Sequence, residues 1–434
     1  MPSLAPRPDS PYDGNAKAIM DTILPRPARA AAVTFIFVTI LIDILAFGII
    51  IPVLPHLIEE MAGGGVSRAA WWVGVFATVF AAIQFFCAPI QGALSDRFGR
   101  RPVILLSNLG LGLDFIFMAL APSVWLLMVG RIISGITSAS YTTATAYIAD
   151  TTPPEKRAGV FGLMGGAFAL GFIVGPALGG LLGEIDLRLP FWVAAVLALL
   201  NFLYGLFILP ESLPPEKRAK RFEPHSAHPI GALKMLRRHR EVAGLAIVIF
   251  LFYLAHYVLQ TVFVLYADFR YAWGPQAVGL VLGLVGISDG VVQAVLTGRL
   301  TARFGERPVL LAGMCFGVVA FLIFGLAPTG WMFLVGIPIM SLWGLAGPQI
   351  QALMTRHVAH DEQGKLQGAI ASLGSFAGIF GPFLFAQIFA YWISPERTVH
   401  LPGFPFLLAA SLVAVGIVVA ARATRTDAVA VTEQ

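Results

Sequence analysis

Twelve stretches of mostly apolar residues run through the chain, and they constrain its fold more than any other feature. Apolar residues make up 57% of the sequence and charged residues 12%, whereas soluble domains have about 25% charged residues. An α-helix of about 20 residues spans the hydrocarbon core of a bilayer, so we predict twelve membrane-spanning helices. These predicted spans, numbered 1 to 12, cover residues 30–54, 71–91, 103–121, 124–148, 159–183, 190–209, 242–266, 277–297, 308–327, 331–354, 365–390 and 403–421.

A basic, Pro-containing segment separates the first six spans from the last six. It covers residues 210–241, and we expect a six-helix bundle on each side of it, at residues 30–209 and 242–421. Residues 1–29 and 422–434 are predicted to be two polar tails. The fold class indicated is an all-α membrane protein with twelve transmembrane helices in two bundles.

The second part of the central segment has an amphipathic pattern. Ile230 and Leu233 fall on one side of a helix, and Lys234 and Arg237 fall on the other. A short helix on an anionic lipid surface would use both faces. A solvated charged linker explains the same residues equally well, so both interpretations stay open.

Basic residues are concentrated in alternate connections between the spans. The side that carries both tails and the central segment has 24 of the 29 Lys and Arg residues, and the opposite side has four. The positive-inside rule therefore places both termini in the cytoplasm of a multi-pass inner-membrane protein. This distribution explains the basic balance by topology, and we expect no nucleic-acid partner.

The chain repeats itself at an offset of 206 residues. Residues 92–105 read GALSDRFGRRPVIL and residues 298–311 read GRLTARFGERPVLL, while the Gly-Pro pair at 175–176 recurs at 381–382. Two motifs with one offset indicate a duplicated half. Because both charged hairpins fall on the same side, the pattern is typical of transporters whose pseudo-symmetric bundles hold the substrate site between them.

Four ionisable residues lie deep within predicted spans, namely Asp43, Asp114, Arg131 and Asp289. Each costs about 2.5–3.5 kcal/mol in mid-membrane, and such residues face a cavity or each other. We predict that Asp43 and Asp114, together with Arg131, couple transport to protons, since an Asp alternating between a desolvated setting and an Arg partner can load and release one. The alternative is a permanent Asp–Arg bridge that fixes spans 1, 3 and 4.

Further polar residues follow helical spacing and suggest the lining of a cavity. Span 4 has a stripe of Arg131, Ser134 and Ser138, and pairs of polar residues four apart occur on spans 7 and 8. A polar lining among many Phe side chains suits an amphipathic organic substrate. A helix-to-helix hydrogen bond is the alternative for each lone Gln. The predicted substrate-binding residues are Gln84, Ser138, His256, Gln260, Asp289, Gln293 and Gln349.

Two groups of residues are predicted to control the change between conformations. Glycines spaced by four on span 5, with Pro176 among them, let a neighbouring helix approach closely; tight packing alone is the alternative. The first charged hairpin can latch the halves together, with its arginines near lipid phosphates; simple topology is the alternative. The residues are Gly92, Asp96, Arg97, Gly99, Arg100, Arg101, Gly171, Gly175, Pro176 and Gly179.

Motifs of enzymes and metal sites give no competing interpretation. Residues 286–290 read GISDG and match G-x-S-x-G, but they lie within an apolar helix rather than a strand-turn-helix. No phosphate-binding loop or HExxH motif occurs, and the histidines are scattered along the sequence. We therefore expect no enzymatic activity, no metal site and no cofactor.

Three motifs resemble those of the major facilitator superfamily, specifically its twelve-helix drug–proton antiporters. They are GALSDRFGRR at 92–101, GRIISG at 130–135 and GFIVGPALGG at 171–180. The resemblance spans roughly residues 33–420 and implies the major facilitator fold, export rather than uptake, and a role in proton transfer for Arg131.

Within that superfamily the chain resembles the bacterial tetracycline-efflux branch. Asp43 is followed by GIIIPVLP at 48–55, and IADTT occupies 148–152. The resemblance implies that Asp43, Gln84, Asp114, Arg131 and Gln293 serve coupling or bind a drug–cation complex, in which Mg²⁺ would arrive with the substrate. Asp289 replaces a histidine of the branch and Phe316 replaces an acidic residue, and both differences concern the choice of drug.

The predicted function is therefore proton-coupled antiport by alternating access. The chain is expected to export an amphipathic organic compound or drug, tetracycline-like compounds included, as a monomer driven by the proton gradient. One alternative is a proton-coupled uptake carrier of a small organic solute. The other is a non-transporting membrane sensor or scaffold, although a scaffold has no reason to keep several costly intramembrane charges.

Overall fold

The described part of the chain is almost entirely helical. The computed structural model describes residues 26–137, 140–219, 240–358 and 362–425, and no strand occurs in these ranges. A 3₁₀ turn occupies Pro215–Lys217. The α-helices are α1 (Arg26–Ile50), α2 (Leu54–Ala62), α3 (Gly65–Phe98), α4 (Arg100–Leu120), α5 (Val124–Thr137), α6 (Ser140–Thr151), α7 (Pro154–Ile185), α8 (Leu189–Ile208), α9 (Arg240–Tyr271), α10 (Pro275–Val291), α11 (Thr297–Phe304), α12 (Glu306–Leu326), α13 (Gly330–Trp343), α14 (Ala346–Arg356), α15 (Gln363–Trp392) and α16 (Phe404–Ala423).

The helices confirm the predicted all-α membrane class. Eleven helical stretches are long and apolar enough to cross a bilayer, and α5 is a shorter apolar helix. Several helices exceed their predicted spans because polar residues continue them past the apolar core; α3 has 34 residues. The predicted amphipathic segment, most of both tails and Ser138 lie outside the described residues.

Among the described residues, two predicted spans are divided and a third contains an irregular helical turn. The chain leaves α1 at Ile50 and turns before α2, because Pro52 has no amide hydrogen to continue the helix. Span 8 contains a π-helical turn at Val292–Leu296 between α10 and α11. Span 10 breaks between α13 and α14, at Gly344 and Leu345. Irregular backbone at membrane depth is tolerated where it lines a cavity or packs against protein, so these breaks mark places of interest.

The 206-residue repeat is visible in the helices themselves. Both ends of α12 lie 206 residues after those of α4, and the same offset relates α13 to α5. Gly99 precedes α4 with φ +106°, and Gly305 precedes α12 with φ +81°. Residues that have a side chain rarely adopt such positive φ angles. This explains why each hairpin turns at a glycine.

The two halves meet at the end opposite the charged hairpins, which we call the far side; the other end is the hairpin side. The hydroxyl of Ser67 on α3 donates to the carbonyl of Ala390 on α15 over 2.9 Å. Further in, Thr78 donates to the carbonyl of Ile379 over 3.1 Å. These bonds link the halves across the far half of the membrane.

The halves separate toward the hairpin side. On the far side, a Cβ added at Gly180 of α7 would collide with the carbonyl of Pro275 and lie 3.0 Å from the Cα of Gly279, both on α10. On the hairpin side, a Cβ added at Gly162 of α7 or Gly298 of α11 would meet no atom of the described residues within 4 Å. The described contacts between the halves therefore lie on the far side, from which we infer a cavity that opens toward the hairpins.

Candidate functional site

Asp43 lies on α1 and contacts α8 of its own half. The side-chain amide of Asn201 donates to a carboxylate oxygen of Asp43 over 3.1 Å and to the carbonyl of Thr39 over 3.3 Å. Asn201 is fully buried. No role was predicted for Asn201 from the sequence. It is nevertheless the only amide in an otherwise apolar helix, and a polar residue in such a helix indicates a specific contact.

Asp114 is buried between α4 and α5, where only 1% of its surface is exposed. One carboxylate oxygen accepts a hydrogen bond from Ser134 of the polar stripe. The other oxygen has no hydrogen-bond partner among the described residues, and a Cβ added at Gly130 would lie 3.1 Å from it. Gly130 therefore makes room for the carboxylate on α5.

Arg131 lies near Asp114 without joining it in an ion pair. The guanidinium carbon lies 4.5 Å from the centre of the Phe80 ring on α3, a cation–π geometry. Its Nε atom is buried and has no hydrogen-bond partner in the part of the chain that the structure describes. Asp114 is close enough for its charge to act on Arg131. In this conformation Arg131 therefore contacts an aromatic face and lies within electrostatic reach of Asp114.

In the C-terminal half, Trp343 of α13 contacts aromatic side chains of α9, and the polar residue Asp289 lies on α10. The ring of His256 on α9 lies 5.8 Å from that of Trp343, and Phe252 lies 4.4 Å from the same indole. Asp289 on α10 is exposed and within hydrogen-bonding reach of Ser341. Trp343 is only 2% exposed, so the groups that a molecule in the cavity could reach here are the half-buried Phe252 and His256 and the exposed Asp289.

Gln293 connects the irregular parts of spans 8 and 10. Its side-chain amide donates to the carbonyl of Gly344 over 3.0 Å, and its oxygen accepts from Thr297 over 3.4 Å. The regular four-residue spacing predicted for Asp289 and Gln293 is interrupted here, because the π-helical turn begins at Val292. π-Helical turns occur frequently at functional sites.

The remaining predicted substrate-binding residues lie in different environments. Gln349 is 3% exposed and donates to Thr301 over 2.8 Å, so it joins α14 to α11 instead of facing the cavity in this conformation. Gln260 is exposed on α9, and Gln84 is half-buried on α3.

Arg100 occupies the centre of the first hairpin and is only 9% exposed. Its guanidinium donates to Ser95 over 2.9 Å, to Asp96 over 2.5 Å and to Asp150 of α6 over 3.0 Å. The prediction that Arg100 lies near lipid phosphates is therefore wrong, because three acceptors of its own half bury it. Asp150 belongs to the IADTT motif, although no role was predicted for it from the sequence.

The neighbours of Arg100 differ in their contacts. The exposed Arg97 lies over the ring of Phe98. Arg101 donates to the carbonyl of Leu206 over 2.7 Å. The carboxylate of Glu211 accepts from the backbone amide of Arg100 over 2.9 Å. These partners belong to the N-terminal half or, for Glu211, to the central segment, so none of the described contacts of these arginines reaches the C-terminal half.

Glycines let α7 pack closely on one helix of each half. A Cβ added at Gly175 would lie 2.9 Å from the Cα of Gly48, and one added at Gly179 would collide with the carbonyl of Ile49, both on α1. On its other face, α7 lies against α10, where a Cβ added at Gly279 would collide with the carbonyl of Pro176. Helix α7 thus packs directly on both halves.

Known proteins with similar sequences are membrane transporters. The model of the Major Facilitator Superfamily matches residues 36–382 and 245–433. The tetracycline resistance protein, class C, of Escherichia coli is 39% identical over 83% of this chain and 90% of its own length. The tetracycline resistance protein, class D, of Salmonella ordonez is 37% identical over 84% and 91%, respectively.

Solved structures show the same fold. The human organic anion transporter MFSD10 (TETRAN) has a TM-score of 0.68 at 25% identity and covers 92% of this chain and 100% of its own. A bacterial homologue of the human lysosomal transporter Spinster, inward-facing and unoccupied, has a TM-score of 0.76 at 15% identity over 93% and 98%. The predicted fold class and family are thereby confirmed: this chain belongs to the major facilitator superfamily and is a solute transporter, not an enzyme.

Proposed function

We propose that the chain is a proton-coupled antiporter that exports an amphipathic organic compound, tetracycline-like drugs included, from the cytoplasm. The observation that carries the proposal is the set of ionisable groups inside the N-terminal half. Asp43, Asp114 and Arg131 each contact a side chain of a neighbouring helix rather than lipid. Intramembrane charges of this kind are costly and mark proton relays or ion pathways.

The proposed direction of transport rests on the distribution of basic residues and on the names of the relatives. The hairpin side carries most of the basic residues, so we assign it to the cytoplasm, with both termini there. The described cavity opens to that side and would take up substrate from the cytoplasm or the inner leaflet. The names of the relatives, tetracycline resistance proteins, support export rather than uptake.

The proposed cycle uses Asp43 as the coupling group. With the cavity open to the cytoplasm and Asp43 deprotonated, substrate binds between the halves. When the halves part on the far side, a proton binds Asp43 or Asp114 and the substrate leaves. The protonated carrier then returns and releases the proton inside. One charge crossing 100 mV supplies about 2.3 kcal/mol, which is enough for useful accumulation.

The chemistry of the C-terminal half bears on the substrate class. Asp289 is exposed, and His256 and Trp343 stand on facing helices of that half. A carboxylate beside aromatic surfaces favours an amphipathic molecule that carries positive charge, either an amine or a chelated Mg²⁺. In this proposal the metal enters with the substrate and the protein needs no resident cofactor. Both halves belong to one chain, so a monomer suffices.

The test uses inside-out vesicles that hold a proton gradient reported by a pH-quenched dye. Tetracycline with Mg²⁺ and a panel of amphipathic amines are added to wild type and to Asp43→Asn. The matched control is Glu396→Gln, which removes an exposed carboxylate from a far-side loop. We expect substrate-triggered proton release in wild type and in Glu396→Gln but not in Asp43→Asn.

Each of the other outcomes contradicts a different part of the proposed function. Proton release that persists in Asp43→Asn would remove Asp43 from coupling. Substrate accumulation without proton movement would exclude antiport. An absence of any response from folded wild-type protein would favour the uptake carrier or the non-transporting scaffold. In right-side-out vesicles, an uptake carrier is then recognised by proton entry that accompanies substrate entry.

A further inference from the structure

Three potential metal ligands meet on the far side, away from the cavity. His56 and Glu59 lie three residues apart on α2, and Asp268 lies near the end of α9. One ligand atom of each residue lies within 4.8 Å of those of the other two. The scattered histidines of the sequence indicated no such cluster, because Asp268 comes from the other half of the chain and only the fold brings it here.

The polar atoms of this cluster lack ordinary partners. The Nε2 atom of His56 is buried and has no hydrogen-bond partner among the described residues. Glu59 and Asp268 form no ion pair with a Lys or Arg in the described ranges. Glu184, at the end of α7, adds a further negative charge within electrostatic reach of His56. An orphaned imidazole nitrogen beside unneutralised carboxylates is a setting that a cation would satisfy.

We propose that His56, Glu59 and Asp268 bind a divalent transition-metal ion of the Zn²⁺ class. One imidazole nitrogen and two carboxylate oxygens, with water in the fourth position, are ligand types that Zn²⁺ accepts in tetrahedral coordination. Ligand atoms around such an ion lie about 3.3 Å apart, so small side-chain rotations from the observed arrangement would complete it. The imidazole disfavours Mg²⁺ and Ca²⁺, which prefer oxygen ligands alone.

The site would join the two halves of the transporter. His56 and Glu59 belong to the N-terminal half and Asp268 belongs to the C-terminal half, at the end where the halves are closed. When the halves part on the far side, Asp268 must move away from α2 and the ligand set is lost. A metal ion therefore binds the conformation open to the hairpin side in preference to the other and shifts the population toward it. This inference does not depend on which solute is transported.

Metal binding is tested first, on the purified full-length protein in lipid nanodiscs titrated with ZnCl₂ by calorimetry. We expect one equivalent to bind, and His56→Ala to weaken binding at least about tenfold. The matched control is His400→Ala, an exposed far-side histidine outside the cluster, which should bind as wild type does. Glu59→Gln is a second variant in case His56→Ala does not fold. Absence of saturable binding, or equal affinity in both histidine variants, would overturn the site.

Whether the metal ion joins the two halves is tested by measuring the distance between spin labels placed on each half. Spin labels are attached to Arg68→Cys and Glu396→Cys, both exposed on the far side, in a Cys87→Ser, Cys315→Ser background. We expect Zn²⁺ to narrow the distance distribution toward the closed form, and Asp268→Asn to abolish this effect. If Zn²⁺ binds Asp268→Asn with unchanged affinity, or leaves the distances unchanged, the bridging ion is excluded.

Discussion

The side-chain amide of Asn201 hydrogen-bonds a carboxylate oxygen of Asp43 over 3.1 Å and so connects α8 to α1 within the N-terminal half. The same amide also reaches the carbonyl of Thr39, which holds it in place. A buried donor aimed at a carboxylate positions that carboxylate and favours one orientation of it. Asn201 is therefore a positioning residue for the proposed coupling group.

Replacing Asn201 by Leu should slow substrate-triggered proton release about tenfold, since a hydrogen bond to a charged group contributes about 1.5–3 kcal/mol. Asn201→Gln should recover part of the rate because the amide remains. Asn108→Leu is the control, since Asn108 is equally buried but neither of its side-chain polar atoms has a partner among the described residues. Equal losses in the two Leu variants, measured in the vesicle assay, would contradict the positioning role.

Gly179→Ala should destabilise the protein, whereas Gly162→Ala should not. Both glycines lie on α7, but an added Cβ collides with the carbonyl of Ile49 at the first and meets nothing within 4 Å at the second. Overpacking of this kind costs about 1–3 kcal/mol. Thermal unfolding in detergent measures the difference. Equal unfolding temperatures for the two variants would show that α1 and α7 are not packed as described.

Gly99→Ala should be more damaging than Gly305→Ala, although the two positions correspond in the repeat. Both have backbone angles that cost a side chain about 1–3 kcal/mol. Only at Gly99 would the added Cβ also collide with Glu211, which accepts the backbone amide of Arg100. Yield of folded protein and unfolding temperature measure the effect. A larger loss for Gly305→Ala would refute the assigned role of Glu211.

Arg100→Lys should lower stability although the charge is kept. A lysine cannot reproduce the three separate hydrogen bonds to Ser95, Asp96 and Asp150, and each bond lost to a charged group costs about 1.5–3 kcal/mol. Arg97→Lys is the matched control, since Arg97 is exposed on the same hairpin. The measurement is thermal unfolding of both variants. If both unfold at the wild-type temperature, the buried cluster contributes nothing to stability.

The proposed coupling residues could be selected from the sequence, but their contacts could not. Asp43, Asp114 and Arg131 stand out because a charge within an apolar span is costly whatever the fold. Their partners depend on how helices rotate and pack, which a linear pattern does not contain. The ion pair considered between Arg131 and Asp114 is replaced by a contact with Phe80. Asn201 was overlooked because a lone amide in a span is also typical of ordinary helix packing.

The sequence by itself determined the membrane class, the twelve apolar spans and the two related halves, because each depends on local hydrophobicity or on comparing the chain with itself. Tertiary structure alone decided which end of the cavity is open, where spans bend, and which distant groups meet. The burial of Arg100 by Asp150 and the approach of Asp268 to His56 are examples. Such contacts come from packing between helices remote in sequence, and packing is a property of the whole assembly of helices rather than of any one segment.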